Sequence, residues 1–299
     1  MPRKNVSCSV LLTLMSWASL VVPASAQHFQ QVTGTLVSVA AGRNEVFGID
    51  AHGSPWRYNA TKQSFAKVSG AKSLVQIAVG GGTLSQLDEV WAVASNGDVY
   101  RFNYKTKSFD EIPGQSFVQI TVGEGTEDNC HPYEVWGVQA SNATIYRYDY
   151  CANQFSDFDP NITQGATGGG DAWGLGNLGV ICHFIIGGTV HEAECTGTSL
   201  TRIAVGVNDV WGINGSSQVF RYDPNTGTFD LVISGGGQVA AGGDGVWALD
   251  TSNNVYRWDP SSEWWVQIVG SSLNSIAVGS GAGVWGVNSS DQVFTFVRP

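Results

Sequence analysis

The sequence predicts an all-β fold, a closed β-propeller of four-stranded blades, and three observations predict it. A Val-Trp-Gly/Ala signature recurs along the chain at intervals of 36 to 45 residues, the length of one propeller blade. Each recurrence occupies the same place in an ordered set of four short apolar segments, and a blade is a sheet of four short strands. The last unit lacks its fourth segment, and a copy of that segment stands near the other end of the chain. Composition agrees: 38 glycines, 11 tryptophans, 9 tyrosines and 13 phenylalanines in 299 residues suit short strands and tight turns better than long helices. With 42% hydrophobic and 13% charged residues the chain can bury a core, which excludes a disordered chain.

Residues 1–26 read as a secretory signal peptide. Arg3 and Lys4 give the positive start, Leu11 to Val22 the apolar stretch, and Ala24-Ser25-Ala26 the small-residue cleavage pattern. The mature chain is then one domain, 27–299, exported to the periplasm or the extracellular space. No later segment offers the roughly 20 apolar residues of a membrane-spanning helix.

Within the domain, the anchors of the signature are Phe47, Trp91, Trp136, Trp173, Trp211, Trp247 and Trp285. An inner strand ending in glycine precedes them, as in Ile77-Ala78-Val79-Gly80 and Ile203-Ala204-Val205-Gly206. An aromatic third strand follows, as in Val99-Tyr100-Arg101-Phe102 and Val255-Tyr256-Arg257-Trp258, and then a short fourth, as in Phe109-Asp110-Glu111-Ile112. Seven anchors predict seven blades. The fourth unit, residues 162–197, is degenerate, and six blades is the alternative count.

His28-Phe29-Gln30-Gln31-Val32-Thr33-Gly34 resembles the outer segment Phe65-Ala66-Lys67-Val68-Ser69-Gly70, so the N-terminal strand is expected to complete the last blade and close the ring. A Trp buries on the order of 200 Å² and can dominate an interblade core. The Gly or Ala after it leaves room for a neighbouring blade's side chain to approach. Acidic residues near the first turns, such as Asp171, Asp209 and Asp244, suit local side-chain to backbone bonding. The pairs Asp88-Glu89 and Asp110-Glu111 read as solvated turn residues.

Cys130, Cys151, Cys182 and Cys195 form an even set in an exported chain, where disulfides are the default and three connectivities exist. Cys130–Cys151 and Cys182–Cys195 are favoured because each pair falls within one unit. Cys182, His183, His191, Glu192, Glu194 and Cys195 also offer zinc-type ligands within a short span. The disulfide competes for the thiols, and no metal or cofactor is expected. A net charge of −10 argues against nucleic acid or an anionic membrane as partner. No catalytic motif is found and the five histidines are scattered singly, so the chain is expected not to be an enzyme.

The repeated arginines Arg57, Arg101, Arg147, Arg221 and Arg257, with their neighbours Tyr58, Phe102, Tyr148, Tyr222 and Trp258, are the candidate binding residues. A fork of donors beside an aromatic plane suits sugar hydroxyls and sugar C–H faces. The competing reading is structural, with each arginine stacked on a tryptophan between blades.

The Ile-Ala-Val-Gly, Val-Trp-Gly-Val and Tyr-Arg-Tyr blocks, repeated in that order across the mature chain, resemble those of the tectonin family. That family includes tectonin-type lectins of slime moulds and fungi, fish-egg lectins and tachylectins, and several known members are six-bladed. The resemblance implies a secreted lectin that recognises surface glycans, such as methylated sugars or lipopolysaccharide, multivalently and without catalysis. The alternative is a protein-interaction or envelope-associated scaffold. Enlarged loops in two consecutive units, Gly81 to Asp88 and Glu124 to Pro132, break the equivalence of the ring and would suit it.

Overall fold

The structure, a computed structural model, describes residues 27–125, 129–159, 161–185, 192–207 and 209–298. The expected leader lies outside these residues, as do His191 and the middle of the second enlarged loop. Seven four-stranded antiparallel blades form the ring, so the count is seven and not six. Blade 1 spans 38–67, blade 2 74–112, blade 3 119–159, blade 4 162–196, blade 5 202–234 and blade 6 236–272; blade 7 spans 275–297 plus the N-terminal strand. In blade 2 the inner strand is Leu74–Gly80, the second Glu89–Ala94, the third Val99–Asn103 and the outer Ser108–Ile112.

The N-terminal strand His28–Thr35 is the outer strand of blade 7, antiparallel to Gln292–Val297 with Phe29 opposite Phe296. It also touches the outer strand of blade 1 through Thr33 and Ser64, which merges the two blades into one eight-stranded sheet. Residues from both ends of the chain therefore share one sheet at the seam. The ring cannot open there without breaking an edge-strand ladder.

All seven anchors are buried, five of the six tryptophans at 1% exposure or less. Each packs against an aromatic ring in the third strand of the following blade. Trp91 meets Tyr148 at 4.8 Å, Trp211 meets Trp258 at 4.9 Å, and Trp247 meets Phe296 at 4.6 Å, all edge to face. Phe47 on Phe102, Trp136 on Phe184, Trp173 on Tyr222 and Trp285 on Tyr58 complete the circle. Such pairs contribute about 0.5–1.5 kcal/mol each beyond their area, so the ring is held by seven equivalent joints.

The glycine after the anchor makes room, but within its own blade. A Cβ on Gly137 would fall 2.2 Å from the Phe117 ring, and one on Gly212 2.1 Å from Leu200. Gly42, Gly80, Gly123, Gly168, Gly206, Gly242 and Gly279 stand at the ends of the seven inner strands, and the first six line a cavity of about 160 Å³ at one end of the channel. A Cβ on Gly80 would lie 2.4 Å from the Val122 carbonyl oxygen of the next blade. The propeller thus has two unlike faces: an entry face where the inner strands begin, and an exit face where these glycines end them.

Two disulfides are present, Cys130–Cys151 and Cys182–Cys195. The first ties the enlarged loop of blade 3 to the turn after its third strand. The second joins directly opposed residues of the third and outer strands of blade 4. No helix among the described residues is long and apolar enough to cross a membrane.

Candidate functional site

Two residues before the anchor, five blades carry an acid: Glu45, Glu89, Glu134, Asp171 and Asp209. Residues two apart on a strand share a face. The third-strand arginine lies directly opposite the anchor in blades 1, 2, 3, 5 and 6. Acid, ring and guanidinium therefore meet on the side of the blade that faces its successor.

In blade 2, Arg101 donates from Nε and Nη2 to the two oxygens of Glu89 at 2.8 and 2.7 Å. Its guanidinium carbon lies 5.6 Å from the centre of the Trp91 ring and 5.0 Å from that of Tyr150 in blade 3. Trp91 Nε1 donates to the same glutamate at 2.9 Å. Arg57–Glu45 and Arg147–Glu134 repeat the two-pronged pair, and Trp136 Nε1 again joins the acid. Arg221 reaches the shorter Asp209, at 2.8 Å from Nε, and Trp211 Nε1 is left without a partner among the described residues. Burial of Arg101 opposes its charge, but the bonds and charge of Glu89 outweigh it and hold the proton more tightly than usual. In Arg57 the bond to Glu45 raises the pKa directly.

The remaining blades vary this latch. In blade 4, His183 Nε2 lies 2.6 Å from Asp171, and its ring stacks on Trp173 at 4.3 Å. In blades 6 and 7 the acid position holds Gly245 and Gly283, and the Trp247 and Trp285 indoles donate to the carbonyls of Asp244 and Ala282 instead. Blade 7 has Thr295 in place of the arginine. Arg257 has no carboxylate partner among the described residues.

Four of the five expected arginines are thus engaged in latches to an acid of their own blade, on the side that faces the next, and the expected sugar-stacking rings are largely used up. Phe102, Tyr148 and Trp258 are buried and Tyr58 and Tyr222 half-buried, all five against the preceding blade's anchor. Open faces for ligand stacking are therefore not available at Phe102, Tyr148 or Trp258, because the fold uses those faces itself.

Two interblade clefts stay open beside latches. One, of about 390 Å³, lies between blades 2 and 3 and is lined by Glu89, Arg101, Asn103, Tyr104, Asp110 and Asn153. The other, of about 610 Å³, lies between blades 5 and 6 and is lined by Asp209, Arg221, Tyr222, Asp223, Asn225, Asp230, Trp258 and Glu263 among others. Register explains why these two blades open. The outer-strand residue opposite the arginine is Asp110 in blade 2 and Asp230 in blade 5, but Ala66, Ser156 and Val266 in blades 1, 3 and 6. Only in blades 2 and 5 is the guanidinium flanked by carboxylates on both sides. Five N–H donors in a fork, two committed to the latch acid, between acceptors on two strands, match a pair of neighbouring hydroxyls. Burial raises the phenol pKa of Tyr104 well above its ordinary value, and its hydroxyl donates to the Asp88 carbonyl at 2.7 Å, which leaves its oxygen as an acceptor.

The expectation that Asp88 and Glu89 are solvated is corrected. Asp88 is 1% exposed and accepts N–H bonds from Arg43, Asn44 and Glu45 of blade 1 at 3.0, 2.6 and 2.8 Å, and from Gly82 at 3.1 Å. The enlarged loop ending at Asp88 is therefore a staple between blades 1 and 2 on the exit face. Asp110 and Glu111 are exposed. Asp244 bonds the next blade, at Gly281 and Gly283 N, rather than its own turn. The Cys182 to Cys195 cluster contains the disulfide, which takes both thiols from any metal. Cys130, Asp149 and Cys151 stand at metal-ligand spacing, yet the thiols are joined and Asp149 accepts the Cys151 and Ala152 N–H groups.

Comparison with known proteins agrees with this architecture. A Tectonin domain model matches residues 18–167 and 199–298, and the unmatched stretch falls on blade 4. No curated protein matches the chain. Among solved structures, human WBSCR16 is similar at 11% identity and TM-score 0.64, covering 88% of this chain and 86% of that one. YCF48 from Cyanidioschyzon merolae is similar at 13% identity and TM-score 0.62, covering 91% and 98%. Prp20p from Saccharomyces cerevisiae is similar at 12% identity and TM-score 0.65, covering 88% and 83%. At these identities the likeness is one of fold.

Proposed function

The chain belongs to the tectonin family, and on that premise we propose that it is a secreted, non-catalytic carbohydrate-binding protein. Its glycan sites are the 2/3 and 5/6 clefts. The observation that carries this reading is the doubly flanked guanidinium, Arg101 between Glu89 and Asp110 and Arg221 between Asp209 and Asp230. A saccharide presents adjacent hydroxyls that donate and accept at once, and this alternation of fixed acceptors and donors complements them. Two clefts on one rigid ring engage a glycan-coated surface together, so modest single-site affinity is multiplied by effective concentration. Surface glycans, including methylated sugars and lipopolysaccharide, are the partner class. The two disulfides and the leader-like N-terminus support secretion.

The test is a glycan array with residues 27–299, followed by Asp110→Ala and Asp230→Ala. Both aspartates are exposed and stand outside the latch acids, so the fold should persist. Binding of one sugar class, reduced at least tenfold by each substitution and lost in the double variant, is expected. A blank array, or binding indifferent to both substitutions, removes the lectin reading.

A further inference from the structure

The entry face carries a second feature that the lectin reading does not use. The residue that opens the inner-strand edge is Val37, Val75 and Val118 in blades 1 to 3, exposed by 41%, 58% and 55%. The equivalent positions in blades 4 to 7 are Thr163, Thr201, Gly237 and Asn274. Beyond the third valine, the turn Asn177–Gly179 lifts Leu178 into solvent at 94% exposure. Leu178 sits at φ 70°, in the left-handed region that leucine enters only at a cost. Hydrogen bonds hold it there: Ser199 Oγ donates to the Leu178 carbonyl, and Leu200 N to that of Gly179, each at 3.0 Å. Val75, Val118 and Leu178 together line a cleft of about 850 Å³.

The floor of the cleft shows what it is built to bind. In blades 2, 3 and 6 a glutamine after that first position pairs through both ends of its amide with the backbone N–H and C=O of one residue in the next blade's inner strand. Gln76 Nε2 donates to the Ile120 carbonyl at 3.0 Å while Ile120 N donates back at 2.8 Å. Gln119 does the same with Gly165, and Gln238 with Ile276. Gln164 holds the same position in blade 4, half-buried on the cleft, and makes no such pair among the described residues. Arg202 follows it in blade 5 and is the only charged side chain lining the cleft among the described residues; its Nη1 donates to the Gly237 carbonyl of blade 6, which leaves its other N–H groups to a ligand.

We propose that the entry-face mouth between blades 2 and 5 is a docking site for an extended peptide segment bearing aliphatic and acidic side chains. The Gln164 amide pairs with the backbone N–H and C=O of one ligand residue as its three counterparts pair with those of the chain's own residues. Aliphatic side chains seat against Val75, Val118 and Leu178, and an acidic side chain meets Arg202. A sugar is the poorer fit, since no aromatic ring lines this cleft. The glycan clefts lie at the exit-face ends of the third strands, so the two sites are independent.

A phage-displayed random heptapeptide library panned on residues 27–299, with the enriched sequences synthesised, tests this. Enrichment of peptides combining aliphatic residues with Asp or Glu is expected. Their Kd should rise tenfold or more in each of Leu178→Asn, Gln164→Glu and Arg202→Gln. Asn tolerates the left-handed backbone, so Leu178→Asn should melt no lower than the parent, which separates lost docking from lost folding. No enrichment above an unrelated protein, equal affinity for parent and all three variants, or full displacement of the peptides by dodecanoate would overturn the proposal. A failed glycan array would leave it standing.

Discussion

Blades 3 and 4 are neighbours with the same four strands and the same anchor, yet they are held in opposite ways. In blade 3, Glu134 has a side chain with no exposed surface and serves both the Arg147 fork and the Trp136 indole. In blade 4, Asp171 is 38% exposed and serves Trp173 and an imidazole. Blade 4 adds a covalent bond across its third and outer strands, which blade 3 lacks at that register. The difference teaches that the latch is a replaceable part. In blade 4 the more exposed pair stands beside a crosslink, and there the family match also lapses, whereas blades 6 and 7 lack the acid and use indole-to-carbonyl bonds instead.

The largest expected effect breaks the comparison on the blade 3 side. Glu134→Ala leaves Arg147 charged and 12% exposed with no acid beside it and orphans the Trp136 N–H. Removing one partner of such a pair costs about 3–5 kcal/mol. Asp171→Ala in blade 4, whose pair is more exposed, should cost less, about 1–2 kcal/mol, chiefly for the Trp173 N–H it orphans. Chemical unfolding of both variants decides it, and equal losses would show that burial is not what sets the latch's strength.

Next in size is the crosslink. Closing the 13-residue separation between Cys182 and Cys195 should contribute about 3 kcal/mol by the loop-entropy estimate. The Cys182→Ser, Cys195→Ser double variant is therefore expected to unfold at clearly lower denaturant. The sharpening test combines it with Asp171→Ala. If crosslink and latch share one task, the combined loss exceeds the sum of the two.

Much of this was legible in the sequence. The seven anchors, the closing N-terminal strand and both disulfides follow from repeat spacing, because a repeat must place equivalent residues in equivalent strands. Of the latch acids, Asp171 and Asp209 were assigned to local turn bonding and Glu89 to solvent, and Glu45 and Glu134 were not picked out, although Glu45-Val46-Phe47, Glu89-Val90-Trp91 and Glu134-Val135-Trp136 display the acid at a fixed offset. An acid beside a turn also suits solvation, and only the opposing arginine decides between the two. Asp88 was misread for the same reason: its partners are backbone N–H groups 43 to 45 residues away, which leave no trace in side-chain pattern. The aromatic residues after the arginines were divided between ligand and core, and strand alternation alone could not say which blade they face.

A smaller effect is expected at alkaline pH. Burial pushes the Tyr256 phenol up to about 12, with the charge of Asp250 adding to it. Tyr104 and Tyr150, which adjoin the latches of blades 1 and 2, are raised for the same first reason. A folded pKa above the unfolded value near 10 means the stabilisation is complete below pH 10 and is lost as pH climbs from there through 12. The melting temperature should fall over that window, less steeply in Tyr256→Phe. Blade 4, with Phe184 in the third strand, adds nothing to it, and an unchanged slope in the variant would assign the loss elsewhere.

The smallest effect concerns Arg257, the third-strand arginine without a carboxylate partner among the described residues. Its backbone stands opposite Trp247 in the register in which Arg147 stands opposite Trp136, but of the two guanidinium groups it is that of Arg147 that lies over its ring, 5.9 Å from the centre. Gly245 occupies the acid position at φ 104°, a conformation a glutamate enters only with strain, so blade 6 cannot regain the latch without rebuilding its turn. Its indole has turned to the Asp244 carbonyl instead. Arg257→Ala should then change stability by no more than about 0.5 kcal/mol, as for an ordinary surface substitution, while Arg147→Ala strands a buried glutamate and costs severalfold more. Should the two variants lose equally, neither the acid nor the ring beside Arg147 would set the arginine's contribution, and the contrast between blades 3 and 4 would have to be rewritten without the latch.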